Sequence, residues 1–108
     1  MHIRSLTKSD FDFLVSVIDG WWGWPTRDKL YPVYLYQFGD TAFVAEEKGR
    51  VIGFVVGFIS QTDPREAYIH LVATGPGSRR RGGIARNLYK QFFAAVAAHG
   101  CQRVRAIT

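Results

Sequence analysis

Cysteine is almost missing from this chain: Cys101 stands alone among 108 residues. A single thiol closes no internal disulfide, so the fold must rest on its core, and a reducing compartment suits it. Long apolar runs are missing as well. The run Phe13 to Ile18 stops at Asp19-Gly20, far short of the roughly 20 residues that span a bilayer. No basic leader or cleavage site flanks it, so no signal peptide is expected. Together these absences predict a cytoplasmic protein. Acidic residues are in deficit, 9 against 14 Lys and Arg, for a net charge of +5. That balance suits an acidic ligand or partner, or simply a solvated basic surface, and charge alone does not choose. Repeats, linkers and low-complexity stretches are lacking too. What is present, 47% hydrophobic and 15% aromatic residues, suffices for a packed core, and residues 1–108 read as a single domain.

Periodicity orders the elements. His2 to Leu6 reads as a short strand. Thr7 with Asp10 forms a helix-start pattern, and Phe11, Leu14, Val15 and Ile18 fall on one helical stripe. Gly20 is expected to end that helix, with Trp21-Trp22-Gly23-Trp24-Pro25 as a loop. Arg27 to Phe38 reads as a second helix interrupted or restarted at Pro32. Thr41 to Glu47 and Val51 to Ile59 are β-branched and aromatic, joined by Glu47-Lys48-Gly49-Arg50 as an antiparallel hairpin. A turn at Gln61 to Arg65 leads to the strand Glu66 to Thr74. A last helix runs from about Gly83 to His99 on the stripe Ile84, Leu88, Phe92, Val96, and Arg103 to Ile107 reads as a final strand. The order is β-α-α-β-β-β-α-β. The closing strand–helix–strand unit requires a right-handed crossover between parallel strands, whereas the hairpin is antiparallel, so an α/β fold with a mixed sheet is predicted.

The most informative stretch is Arg79-Arg80-Arg81-Gly82-Gly83-Ile84-Ala85, set between a strand and a helix. A helix start leaves about four backbone N–H groups unpartnered and carries the positive end of the macrodipole. Glycines allow an anion close to that backbone, and arginines add attraction. The site suits a phosphate or pyrophosphate.

Within this stretch Arg80, Gly83 and Ala85 satisfy the acetyl-CoA signature of GNAT-type N-acetyltransferases. The chain resembles that family in element order and in the flanking residues Ala67 to Val72 and Arg86 to Tyr89. Pro76 stands four residues before Arg80, one more than is usual in the family. The resemblance implies a GNAT-like fold, here without the C-terminal helix and strand pair that members usually add. It implies acetyl transfer from acetyl-CoA to a primary amine, with no metal. The amides from about Arg79 to Ala85 (Arg79, Arg80, Arg81, Gly82, Gly83, Ile84, Ala85) would hold the pyrophosphate. The strand edge at Val72, Ala73 and Thr74 would bond the pantetheine amides, and an N–H near Leu71 or Val72 would meet the oxyanion. Without the C-terminal part, the final strand is an open edge, and self-association through it is expected.

Strand alternation places Tyr68, His70 and Val72 on one face, and Ile69, Leu71 and Ala73 on the other. His70 is the candidate general base, directly or through water, against an equally weighted structural role; Glu66, Glu46 and Glu47 are read as ordinary carboxylates. Trp21, Trp22 and Trp24 lie where the family builds its acceptor loop, so they are candidates for binding the acceptor or for closing the core. Two other readings stand beside the enzyme. One is a CoA-binding or assembly protein that lacks the chemistry. The other is a basic nucleic-acid module, which would want stacking aromatics near the arginines; no nucleic acid is expected.

Overall fold

The structure, a computed structural model, describes residues 1–23, 25–81 and 83–106, with only the backbone for 79–81. Trp24, Gly82 and Ile107 therefore lie outside the described residues. Five strands, β1 (His2–Ser5), β2 (Ala42–Glu47), β3 (Arg50–Ile59), β4 (Glu66–Thr74) and β5 (Arg103–Ala106), form one sheet in chain order. Neighbours from β1 to β4 are antiparallel, and β5 runs parallel to β4. Helix α1 (Lys8–Trp22) and the single-turn α2 (Val33–Tyr36) cover one face, while α3 (Ile84–Ala97) covers the other. The mixed sheet and the parallel β4–α3–β5 unit are as the sequence predicts.

Helix α1 starts where expected. The Thr7 amide donates to Asp10 Oδ2 at 2.8 Å, and the Asp10 amide donates to Thr7 Oγ1 at 3.3 Å, a reciprocal cap. The predicted stop at Gly20 is wrong. The helix runs on through Trp21 and Trp22 and closes at Gly23, whose φ is 80° and whose N–H donates to the Asp19 carbonyl at 2.9 Å. Trp21 and Trp22 pack on the core of this face, and burying their rings outweighs the helix-weakening effect of one glycine, about 1 kcal/mol. The expected second helix is reduced to a 3₁₀ turn at Arg27–Lys29 and the short α2, divided at Pro32.

On the opposite face Ile84, Leu88, Phe92 and Val96 are all buried against Phe43, Val55 and Ile69, as their four-residue spacing requires. Gly57 makes this packing possible: a Cβ there would run into the Tyr68 carbonyl and meet the Phe92 ring at 2.8 Å.

The alternation predicted for β4 fails at one residue. Val56 pairs with Leu71 and Gly57 with Ile69, so His70 is an extra, bulged residue on β4. One inserted residue reverses the facing of everything after it. Ile69 thus belongs to the α3 side, Leu71 and Ala73 to the α1 side, and Val72 returns to the α3 side.

Candidate functional site

The bulge lies where β4 loses a neighbour. The β4–β5 pairing extends from Glu66↔Arg103 to Ile69↔Ala106. Among the described residues, the β5-side edge of His70, Leu71, Val72 and Ala73 has no strand beside it, although β3 pairs along the other edge. A row of backbone donors and acceptors is thereby left for an extended ligand.

The start of α3 faces the end of that row. Gly83 has φ 83°, a left-handed conformation that favours glycine, and among the described residues a Cβ there would meet only Asn87 Nδ2, at 3.9 Å. Among the described residues no side chain caps this helix. Its first intrahelical bond runs from the Asn87 amide to the Gly83 carbonyl at 2.9 Å, so the amides of Ile84, Ala85 and Arg86 precede the hydrogen-bonded ladder. The backbone of Arg79, Arg80 and Arg81 forms the end of a 3₁₀ turn, Pro76–Arg81, leading into this point. Between the strand end and the helix start lies a cleft of about 360 Å³, lined by Trp22, Val72, Ala73, Thr74, Ala85 and Tyr89.

The structure thus brings together Val72, Ala73, Thr74 and Ala85, and it adds Trp22, which the sequence suggested for the acceptor instead. Leu71 and Ile84 have buried side chains, so only their backbone groups can serve a ligand. Trp21 stands apart: it lines a separate cavity against Gly75. Tyr89 was missed, although its place one helical turn after Ala85 was the signal.

His70 sits on the other side of the sheet, in an aromatic cluster that the sequence did not single out. Its ring stacks on Tyr34 with centroids 4.9 Å apart and lies 5.7 Å from Tyr31 and 6.0 Å from Tyr68. Nε2 lies 2.9 Å from the Lys29 carbonyl, which can only accept, so Nε2 carries the proton. Nδ1 is then the acceptor, 3.4 Å from the Tyr68 hydroxyl. Burial, with smaller contributions from Tyr68 and Tyr31, pushes the Tyr34 hydroxyl up to about 12, so Tyr34 stays neutral. Tyr31 is 48% exposed and forms the open wall of the cluster.

The carboxylates considered as bases are tied elsewhere. Glu66 accepts from Arg103 Nε at 2.9 Å and pairs with Arg105 Nε at 2.7 Å, and Glu46 accepts from Arg4 Nε at 2.5 Å. Among the described residues no group of three or more His, Cys, Asp or Glu side chains is placed to hold a metal, and no helix is long and apolar enough to cross a membrane.

Comparison with known proteins matches residues 4–108 to the family described as acetyltransferase (GNAT). An L-2,4-diaminobutyric acid acetyltransferase from Nocardia farcinica is 37% identical over 71 residues, covering 65% of this chain and 36% of that relative. An N-terminal acetyltransferase complex ARD1 subunit homolog from Dictyostelium discoideum is 42% identical over 62 residues, covering 54% and 30%. Among solved structures, diaminobutyrate acetyltransferase EctA from Paenibacillus lautus, in complex with L-2,4-diaminobutyric acid and coenzyme A, aligns with a TM-score of 0.80 at 25% identity. That alignment covers 99% of this chain and 64% of EctA. The chain spans about a third of the length of the curated relatives it matches.

Proposed function

The chain belongs to the acetyltransferase (GNAT) family, and from that premise we propose that it moves the acetyl group of acetyl-CoA onto a primary amine. The observation that carries this reading is that, among the described residues, the β4 edge has no strand beside it and the neighbouring helix start, which opens on Gly83, has no side-chain cap. In this reading, amides from Arg79 to Ala85 hold the pyrophosphate. Charge-assisted bonds of this kind contribute roughly 1.5–3 kcal/mol each. Val72, Ala73 and Thr74 bond the pantetheine arm, with Trp22 and Tyr89 walling the cleft. An amide at Leu71 or Val72 receives the oxyanion.

The acceptor enters from the face of Tyr31, Tyr34, Tyr68 and His70, because aromatic rings attract an ammonium before it loses its proton. That proton passes to the Tyr68 hydroxyl as Tyr68 hands its own to His70 Nδ1. The neutral amine then attacks the thioester carbonyl, the C–S bond breaks, and the proton that the attacking nitrogen sheds as the amide forms passes to the departing thiolate, which leaves as CoA. Relatives named for diaminobutyric acid and for protein N-termini support a compact amine, a free amino acid or a peptide terminus, as the acceptor class. The outer edge of β5 has no neighbour among the described residues, and in this reading self-association uses it.

Labelled acetyl-CoA incubated with diaminobutyrate and with short peptides tests the reading. Label should appear on an amine. CoA binding without transfer would favour a binding protein, and absence of CoA binding would refute the site. His70→Gln and Tyr68→Phe should each lower turnover by about 10²-fold or more, flatten its pH profile and leave CoA affinity unchanged. A purely structural pair would lower the melting temperature and leave the pH profile as it was.

A further inference from the structure

A second cavity, of about 690 Å³, shares no lining residue with the cleft assigned above. It opens between α1, the β2–β3 turn and the segment Gly75 to Ser78. Its apolar wall is Phe13, Val17 and Trp21, spaced four apart on one side of α1. Phe13 remains 42% exposed although it meets Trp21 edge-to-face at 6.4 Å. Trp21 lies flat against Gly75, where an added Cβ would touch its ring at 3.4 Å.

The opposite wall is cationic. Lys48 and Arg50 line it, and among the described residues no ion pair engages either, while Glu47 beside them is engaged. Lys48 also holds a φ of 53°, followed by Gly49 at 76°. Such a primed turn ordinarily takes Asn, Asp or Gly at its first position. A lysine kept in a conformation that side chains avoid, beside a cavity, points to a use for its charge. Volume, an aromatic wall and two cations against the single carboxylate of Glu47 together describe a ligand pocket of ordinary size.

We propose that this pocket binds a small anion with a flat apolar body, an aromatic carboxylate or its phosphate analogue. We further propose that its occupancy alters CoA affinity. The pocket is lined by Gly75 and by Pro76, Gly77 and Ser78, the first half of the 3₁₀ turn Pro76–Arg81 that precedes the start of α3, so a ligand that fixes one end of this turn biases the other. The coupling rests on the CoA site assigned above; the binding does not.

Calorimetric titration with 2-naphthoate, 2-naphthyl phosphate and neutral 2-naphthamide tests it. Both anions should bind, the tighter identifying the preferred head group, and at least one about tenfold more tightly than the amide. Combining Lys48→Asn, which suits the left-handed turn, with Arg50→Gln should reduce that preference to about twofold or less. Equal affinity for anion and amide, no binding, or a preference that survives the double substitution would overturn the pocket. Saturating CoA should leave the pocket accessible. Full displacement by CoA would make it part of the CoA site and refute a separate one. Bound naphthoate should change the CoA dissociation constant by about threefold or more, and an unchanged constant would overturn the coupling. A protein that binds naphthoate but no CoA would refute the transferase reading alone.

Discussion

In the proposed CoA site Gly83 is the decisive residue: its backbone is left-handed, and among the described residues only Asn87 Nδ2 lies within 4 Å of an added Cβ, which would let an anion reach the first amides of α3. Asparagine and aspartate tolerate this conformation better than other side chains, so they separate charge from strain. Gly83→Asn should fold with nearly unchanged stability. Gly83→Asp, of the same shape, should bind CoA about tenfold more weakly than Gly83→Asn, since a carboxylate then competes with phosphate at the helix start. Equal CoA affinities for the two variants would remove the pyrophosphate from this position. The left-handed Gly83 at the start of α3 was legible in the sequence, because a tight turn into a helix favours glycine. The Tyr31–Tyr34–Tyr68–His70 cluster was not readable in the same way. It depends on an inserted residue at His70, and hydrophobic alternation contains no signal for a bulge.

The elements show the same division. The bounds of strand β4 and the buried stripe of α3 followed from the residue pattern, and the α1 start followed from Thr7 and Asp10. The end of α1 did not, because a glycine looks like a stop unless the packing of the next two tryptophans is known. Gly20 therefore makes a testable site: it is exposed within the helix, and no described residue lies within 4 Å of an added Cβ. Gly20→Ala should raise stability by about 0.5–1 kcal/mol in a urea titration, and a loss would mean the helix truly breaks there. At the other end, burial pushes Asp10 upward, but Arg4, with bonds of 2.6 and 3.0 Å, and Thr7 outweigh it and hold the carboxyl below its ordinary 3.8. A depressed carboxylate stabilises the fold above its unfolded pKa, and that contribution is lost as pH falls through the folded value. Asp10→Asn should thus cost about 1–2 kcal/mol at neutral pH. The difference from the parent should shrink as the pH drops below 3.8. A gap that stays constant down to strongly acidic pH would mean that the charge contributes nothing.

At the scale of the whole molecule, the net charge of +5 acts on any polyanion before contact is made. CoA carries its negative charge on the pyrophosphate and the 3′-phosphate, while its pantetheine arm is neutral, so the ligand itself separates long-range attraction from the bonds along β4. Raising ionic strength from about 0.1 to about 1 M shortens the screening length from about 10 to about 3 Å. Attraction from residues not in contact with the ligand should then vanish, leaving the amide bonds at short range. CoA affinity is accordingly expected to fall several-fold across that range, with a slower association rate, whereas binding of pantetheine alone should hold steady in the same titration. A salt-independent CoA constant would show that the basic balance of the chain serves something other than this ligand. The cationic pocket of Lys48 and Arg50 would then be the better claimant for it.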